Sequence, residues 1–95
     1  MEAGLLHVGF RNFVPASRLV AIMSPDSAPV KRLIHEAQAD GRYVDMTKGR
    51  KIKAVLVMDS GHVVLAAIAT DTIAGRLAAG RERLRKGSEP GQEEP

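Results

Sequence analysis

The sequence predicts a small α+β domain: one antiparallel β-sheet backed by two helices, in the order β-β-α-β-β-β-α. Three observations carry that prediction. Val30, Leu33, Ile34 and Ala37 recur at helical spacing. Ala54–Val57 and Val63–Ala69 are apolar runs flanking Asp59-Ser60-Gly61, a hairpin turn. The length of 95 residues suits one domain.

In chain order, Leu5–Val8 reads as a short first strand and Gly9–Pro15 as a loop, because Gly, Asn and Pro punctuate it. Arg18–Met23 is apolar on both alternating faces after Arg18. That pattern fits a strand covered on both sides, by a helix and by a neighbouring subunit. Ser27 or Asp26 caps the first helix, Pro29 fits its first turn, and Gly41 stops it. Tyr43–Asp45 reads as a short strand, Thr47–Gly49 as a turn, and residues 50–58 as the clearest strand, with 62–69 as its antiparallel partner. Alternation from residue 50 puts Ile52, Ala54 and Leu56 on one face and Lys51, Lys53 and Val55 on the other. Thr70 or Asp71 caps a last helix whose apolar side holds Ile73, Leu77 and Leu84, with Arg76, Arg81, Arg83 and Arg85 outside. From Lys86 onward no apolar residue remains to bury, so residues 1–85 read as the domain and 86–95 as a disordered acidic tail.

Composition narrows the function classes. There is no cysteine, hence no disulfide or thiolate metal site, and a chain of this size buries only roughly 60–65% of its unfolded surface. Small chains in that position gain stability by oligomerising. Strands with two apolar faces exceed what two short helices can cover, which points to a subunit interface. Three aromatic rings, Phe10, Phe13 and Tyr43, are too few for a base-stacking platform. No apolar run reaches the ~18 residues of a membrane span, and the first residues lack the basic and apolar segments of a signal peptide, so the expectation is a cytoplasmic protein without membrane contact.

Charge is unevenly spread. The net charge is +3, but Lys86 against Glu89, Glu93 and Glu94 gives the tail −2, leaving +5 on residues 1–85. Lys48, Arg50, Lys51 and Lys53 crowd into the turn and strand start at Thr47–Lys53, and no acidic residue lies between Asp45 and Asp59. Surfaces decorated for solubility mix signs, so this cluster reads as a polyanion site. Asp59-Ser60-Gly61-His62 holds triad residue types, but turn chemistry accounts for them. His7, His35 and His62 lack metal-ligand spacing. There is no P-loop or dinucleotide fingerprint. No catalytic residue, cofactor or metal is assigned, and an enzyme is the reading least supported.

Several stretches taken together resemble the bacterial RemA family of extracellular matrix regulatory proteins. They are Leu6–Phe10, Arg18–Ile22, Ser24–Ile34, Asp45–Val55, Asp59–Val63 and Ala74–Leu77, spanning roughly residues 5–77 in the family's order. The resemblance implies a DNA-binding transcriptional regulator of the extracellular-matrix or biofilm type, without enzymatic activity, assembled as a ring-shaped homo-oligomer. It places the family's arginine pair on Arg50 and Lys51 and its upstream basic residue on Arg18. Lys48, Lys53 and Arg11 stand where the family usually has other residues, and Lys51 replaces an arginine. Lysine is a point charge suited to phosphate, whereas arginine reads guanine through two hydrogen bonds. The expected site is therefore Lys48, Arg50, Lys51 and Lys53, with Arg18 and Arg11 in support, reading the backbone and shape of double-stranded DNA. RNA, or an acidic protein met by a basic interaction module, stays open as the alternative partner.

Overall fold

The computed structural model describes the backbone of residues 4–88 and the side chains of residues 4–80. Its elements are β1 (Leu5–His7), β2 (Phe13–Pro15), a 3-10 turn (Ala16–Arg18), β3 (Leu19–Met23), α1 (Ala28–Asp40), β4 (Tyr43–Asp45), β5 (Ala54–Met58), β6 (Val63–Ala66) and α2 (Thr70–Ser88). The class is α+β, but the sheet is not single. β1 and β2 form an antiparallel ribbon, while the other strands form a sheet in the order β3-β5-β6-β4.

The ribbon corrects the expected loop at Gly9–Pro15. Punctuating residues mark a turn there, but Phe13–Pro15 pairs with Leu5–His7 once the chain has reversed. Its inner pair, Leu6 and Val14, is buried, and the outward residues Leu5, Phe13 and Pro15 are exposed. β4 corrects the all-antiparallel expectation. β5 and β6 are antiparallel neighbours, and β4 lies beside β6 rather than β5, so β4 runs parallel to β6. The connection from β4 to β5 must then pass over the end of β6.

The two central strands alternate cleanly. Val55, Val63 and Leu65 pack under α1 with Val30, Ile34 and Ala37. Ala54, Leu56, Val64 and Ala66 face the opposite way, against Leu6, Val8 and Val14 of the ribbon segment and Ile73 of α2. The monomer thus covers both faces of β5 and β6 itself. β3 is covered less: Leu19 and Ile22 pack against one core and Met23 against the other, but the register slips between Leu19 and Ala21. This bulge pushes Val20 outward, where it is 65% exposed.

Local signals set α1. Ser27 Oγ accepts from the Val30 N–H at 3.3 Å, Pro29 sits in the first turn, and Gly41 adopts φ +73 to close the C-terminus. The buried residues are Val30, Ile34 and Ala37, with Leu33 half-buried. α2 starts slightly earlier than a Thr70 cap would allow: the Ala69 carbonyl already accepts from the N–H groups of Thr72 and Ile73. Asp71 then lies in the first turn, where its charge favours the helix dipole. Ile73 is fully buried and Leu77 half-buried. The side chains of Arg81, Arg83, Leu84 and Arg85 lie outside the described residues. The expected tail begins at Lys86, whereas α2 continues to Ser88, and residues 89–95 also lie outside the described residues. Among the described residues no helix is long and apolar enough to cross a membrane.

Leu56 is fully buried on β5, between the ribbon and α2. Leu56→Ala is expected to cost about 2–5 kcal/mol in a denaturant titration, a large share of the stability of so small a domain.

Candidate nucleic-acid interface

The segment 46–53 is the connection that crosses the end of β6. Both of its ends are tied there: Met46 N–H donates to the Leu65 carbonyl at 2.9 Å, and Lys53 N–H donates to the Ala66 carbonyl at 2.8 Å. Between these ties Thr47 is buried, at 2% exposure. Its hydroxyl donates to Asp45 Oδ1 at 2.6 Å and its backbone N–H to the same oxygen at 2.9 Å. The Asp45 carboxyl is held below its ordinary value of 3.8, first by the Thr47 hydroxyl and then by the Thr47 N–H, with burial opposing. The nearest acid in sequence is therefore engaged in holding the loop.

The chain then reverses. Lys48 takes φ +53 and Gly49 φ +79, and Arg50 N–H closes the turn on the Thr47 carbonyl at 3.0 Å. A side chain added at Gly49 would meet open space, so its left-handed φ is what calls for glycine. Regular strand begins only at Ala54. This corrects the expected strand from residue 50 and the expected faces: Ile52 packs with Val55 in the core under α1, not with Ala54 and Leu56. Residues 51–53 are not regular strand, so the two-residue alternation that the sequence alone suggests does not hold across them.

Lys48, Arg50, Lys51 and Lys53 are all exposed, and none of them forms an ion pair with a described residue. Arg50, Lys51 and Lys53 line an open groove of about 650 Å3 together with Gly9, Phe10 and Ile68. Phe10 comes from the turn between β1 and β2. Lys48 Nζ and the Arg50 guanidinium each lie 5.6 Å from the centroid of its ring, within cation–π range. Arg11 is exposed on the same turn, next to Phe10. The non-glycine residues with positive φ among the described residues are Phe10, Arg11 and Lys48, so backbone strain gathers around this groove.

Arg18 lies elsewhere. It ends the 3-10 turn before β3, its carbonyl accepts from Asp59 N–H at 2.8 Å, and its guanidinium reaches the Asp59 carboxylate at 3.5 Å. That is the far end of β5 from Lys53, about 20 Å along the strand direction at six residues from Lys53 to Asp59. The structure thus gathers Lys48, Arg50, Lys51 and Lys53, sets Arg11 on the flanking turn, and leaves Arg18 apart. Sequence reasoning passed over Phe10. Its one signal was an aromatic ring set between Gly9 and Arg11 in a turn, which says nothing about contact with Lys48 and Arg50.

The Asp59–His62 turn offers no relay. Ser60 Oγ and His62 Nδ1 are 2.7 Å apart, but the Asp59 carboxylate faces Arg18. Among the described residues no group of His, Cys, Asp or Glu could hold a metal ion.

Comparison with known proteins gives the chain its relatives. The sequence model described as extracellular matrix regulatory protein A-like, RemA-like, matches residues 5–77. The chain belongs to the RemA-like family. A relative from Synechococcus elongatus is 56% identical over 84 residues, covering 88% of this chain and 97% of that protein. One from Dehalococcoides mccartyi is 53% identical over 77 residues, covering 81% and 80%. One from a Thermoanaerobacter species is 45% identical over 94 residues, covering 99% and 98%. Each carries the name "putative regulatory protein". Family and relatives support a regulatory role rather than an enzymatic one. In this RemA-like chain the matched region contains the whole basic loop and both strands it joins.

Thr47→Val removes the hydroxyl bond while keeping the shape. It is expected to lower stability by about 1 kcal/mol near neutral pH and to speed amide exchange in residues 46–53. A carboxyl titrating below its ordinary value contributes stability that is fully present above that value and is lost as pH falls through the folded-state value. The gap between wild type and Thr47→Val should therefore shrink on acidification through and below about pH 4, read by denaturant titrations across pH.

Proposed function

We propose that this protein is a DNA-binding regulator that grips the phosphate backbone of duplex DNA with the loop 46–53, as a ring-shaped homo-oligomer presenting many copies of that loop. The observation that carries the reading is a cluster of four cations, Lys48, Arg50, Lys51 and Lys53, fixed on a doubly tied loop and unpaired with any described residue. With the loop backbone already ordered, only side-chain freedom is lost when these cations meet phosphates. Three of the four are lysines, which suits phosphate contact and shape reading more than base-edge reading. Arg11, beside the groove, adds to the same field. Arg18, at the other end of β5, reaches either a further phosphate along the duplex or the site of a neighbouring copy. Acting on DNA, the protein works in the cytoplasm.

Self-association is supported by exposed apolar side chains outside the basic loop, chiefly Leu5 at 70% and Val20 at 65% exposure. A closed ring multiplies a modest single contact into tight binding along one duplex.

The test is a duplex-DNA titration at several salt concentrations, with mass followed by light scattering. Wild type should bind as an oligomer with a log–log salt slope of about −0.9 per phosphate contacted. Arg50→Ala should abolish binding with the oligomer mass unchanged; normal binding by this variant would refute the site. RNA that competes as well as DNA would redirect the reading to RNA. A Leu5→Asp, Val20→Asp double variant should fall to a lower mass with its circular dichroism preserved.

A further inference from the structure

The groove beside the basic loop contains one feature that phosphate binding does not explain. Phe10 is 40% exposed and sits on a turn that is unfavourable for it: φ is +53 at Phe10 and +64 at Arg11. A bulky residue in the left-handed region is a true outlier, and such strain persists only where the surroundings enforce it. Here they do. Val8 N–H donates to the Asn12 carbonyl at 2.9 Å and Asn12 N–H to the Gly9 carbonyl at 2.8 Å, closing the turn. Gly9 is buried against Ile68, whose Cδ1 would lie 3.0 Å from any added Cβ. The fold thus holds an aromatic ring at the surface although the apolar core begins next door at Val8, which is fully buried.

Self-association does not account for this ring as it does for Leu5 and Val20. Lys48 and Arg50 flank it, and like charge makes that patch a poor face for a second copy. A bound nucleotide fits better, because it offers phosphate oxygens to the cations and an apolar sugar and base edge to the ring. We infer that Phe10 packs against the sugar–base part of the DNA held by Lys48, Arg50, Lys51 and Lys53, adding a salt-independent contribution to binding. This rests on the DNA-binding reading above. The competing account is that Phe10 merely steadies Lys48 and Arg50 through its ring face.

The two accounts differ in the salt dependence. Phe10→Asn removes the ring but tolerates the left-handed turn, so it should fold with a denaturation midpoint at or above that of wild type. It should bind duplex DNA about tenfold more weakly at every salt concentration, with the log–log slope unchanged. The chain has no tryptophan, so Phe10→Trp gives a single reporter, whose emission should change on adding DNA. If Phe10 only steadies the cations, Phe10→Asn will flatten the slope and converge with wild type at high salt, which overturns the inference. Equal affinity of wild type and Phe10→Asn, with the emission of the Phe10→Trp variant unchanged by bound DNA, also overturns it while leaving the DNA-binding reading intact. No binding by wild type even at low salt would fail that reading first, and this inference with it.

Discussion

The position of β6 between β4 and β5 governs the rest of the molecule. A chain that leaves β4 and must enter β5 has to travel over the end of β6, and the free carbonyls of Leu65 and Ala66 meet it there. Unpaired backbone groups at a sheet end cost free energy unless they find partners. The crossing segment supplies them through the N–H groups of Met46 and Lys53. A dense cationic loop is thereby fastened at both ends to a fully buried strand. Mutual repulsion among four cations would otherwise favour an open, mobile segment.

Asp45 gives that loop its shape. Its carboxylate accepts both the hydroxyl and the N–H of Thr47, so the adjacent acid acts as a structural acceptor. The next acid along the chain, Asp59, is at the other end of β5 and faces Arg18. The two ends of β5 therefore differ: the cations at the Lys53 end form no ion pair with a described residue, whereas Asp59 at the other end is paired with Arg18. The field at the basic end is the natural target for a polyanion. It also explains why Arg18 and Arg50, close in chemistry, occupy different electrical surroundings.

Local backbone strain follows the same geography. Of the non-glycine residues with positive φ among those described, Phe10 lines the groove, and Arg11 and Lys48 adjoin residues that do. The ribbon that carries Phe10 also closes the core over Leu56 and Val64. Packing of the ribbon and placement of the ring are one event.

The sequence by itself determined the features written in short-range chemistry. Ser27, Pro29 and Gly41 bounded α1, Asp59–Gly61 turned the hairpin, the spacing of Val30 to Ala37 named one buried face, and Lys48 to Lys53 declared a basic cluster. Each depends on residues within a turn or two of one another, where propensity and capping act. The family was legible for a related reason: its identifying stretches are contiguous. Tertiary structure alone decided the rest. Phe13–Pro15 became a strand only because Leu5–His7 offered it an edge. β4 became parallel only because β6 took the place between β4 and β5. Residues 51–53 stayed outside the regular strand because they complete the crossing from β4, and ladder pairing resumes only where Lys53 N–H meets the Ala66 carbonyl. Phe10 met Lys48 and Arg50, and Arg18 was carried away from them, through pairings between residues far apart in the chain. Such contacts depend on which hydrogen-bonding edges and apolar faces remain free after the local elements have formed, and a reading of neighbours along the chain contains no record of that.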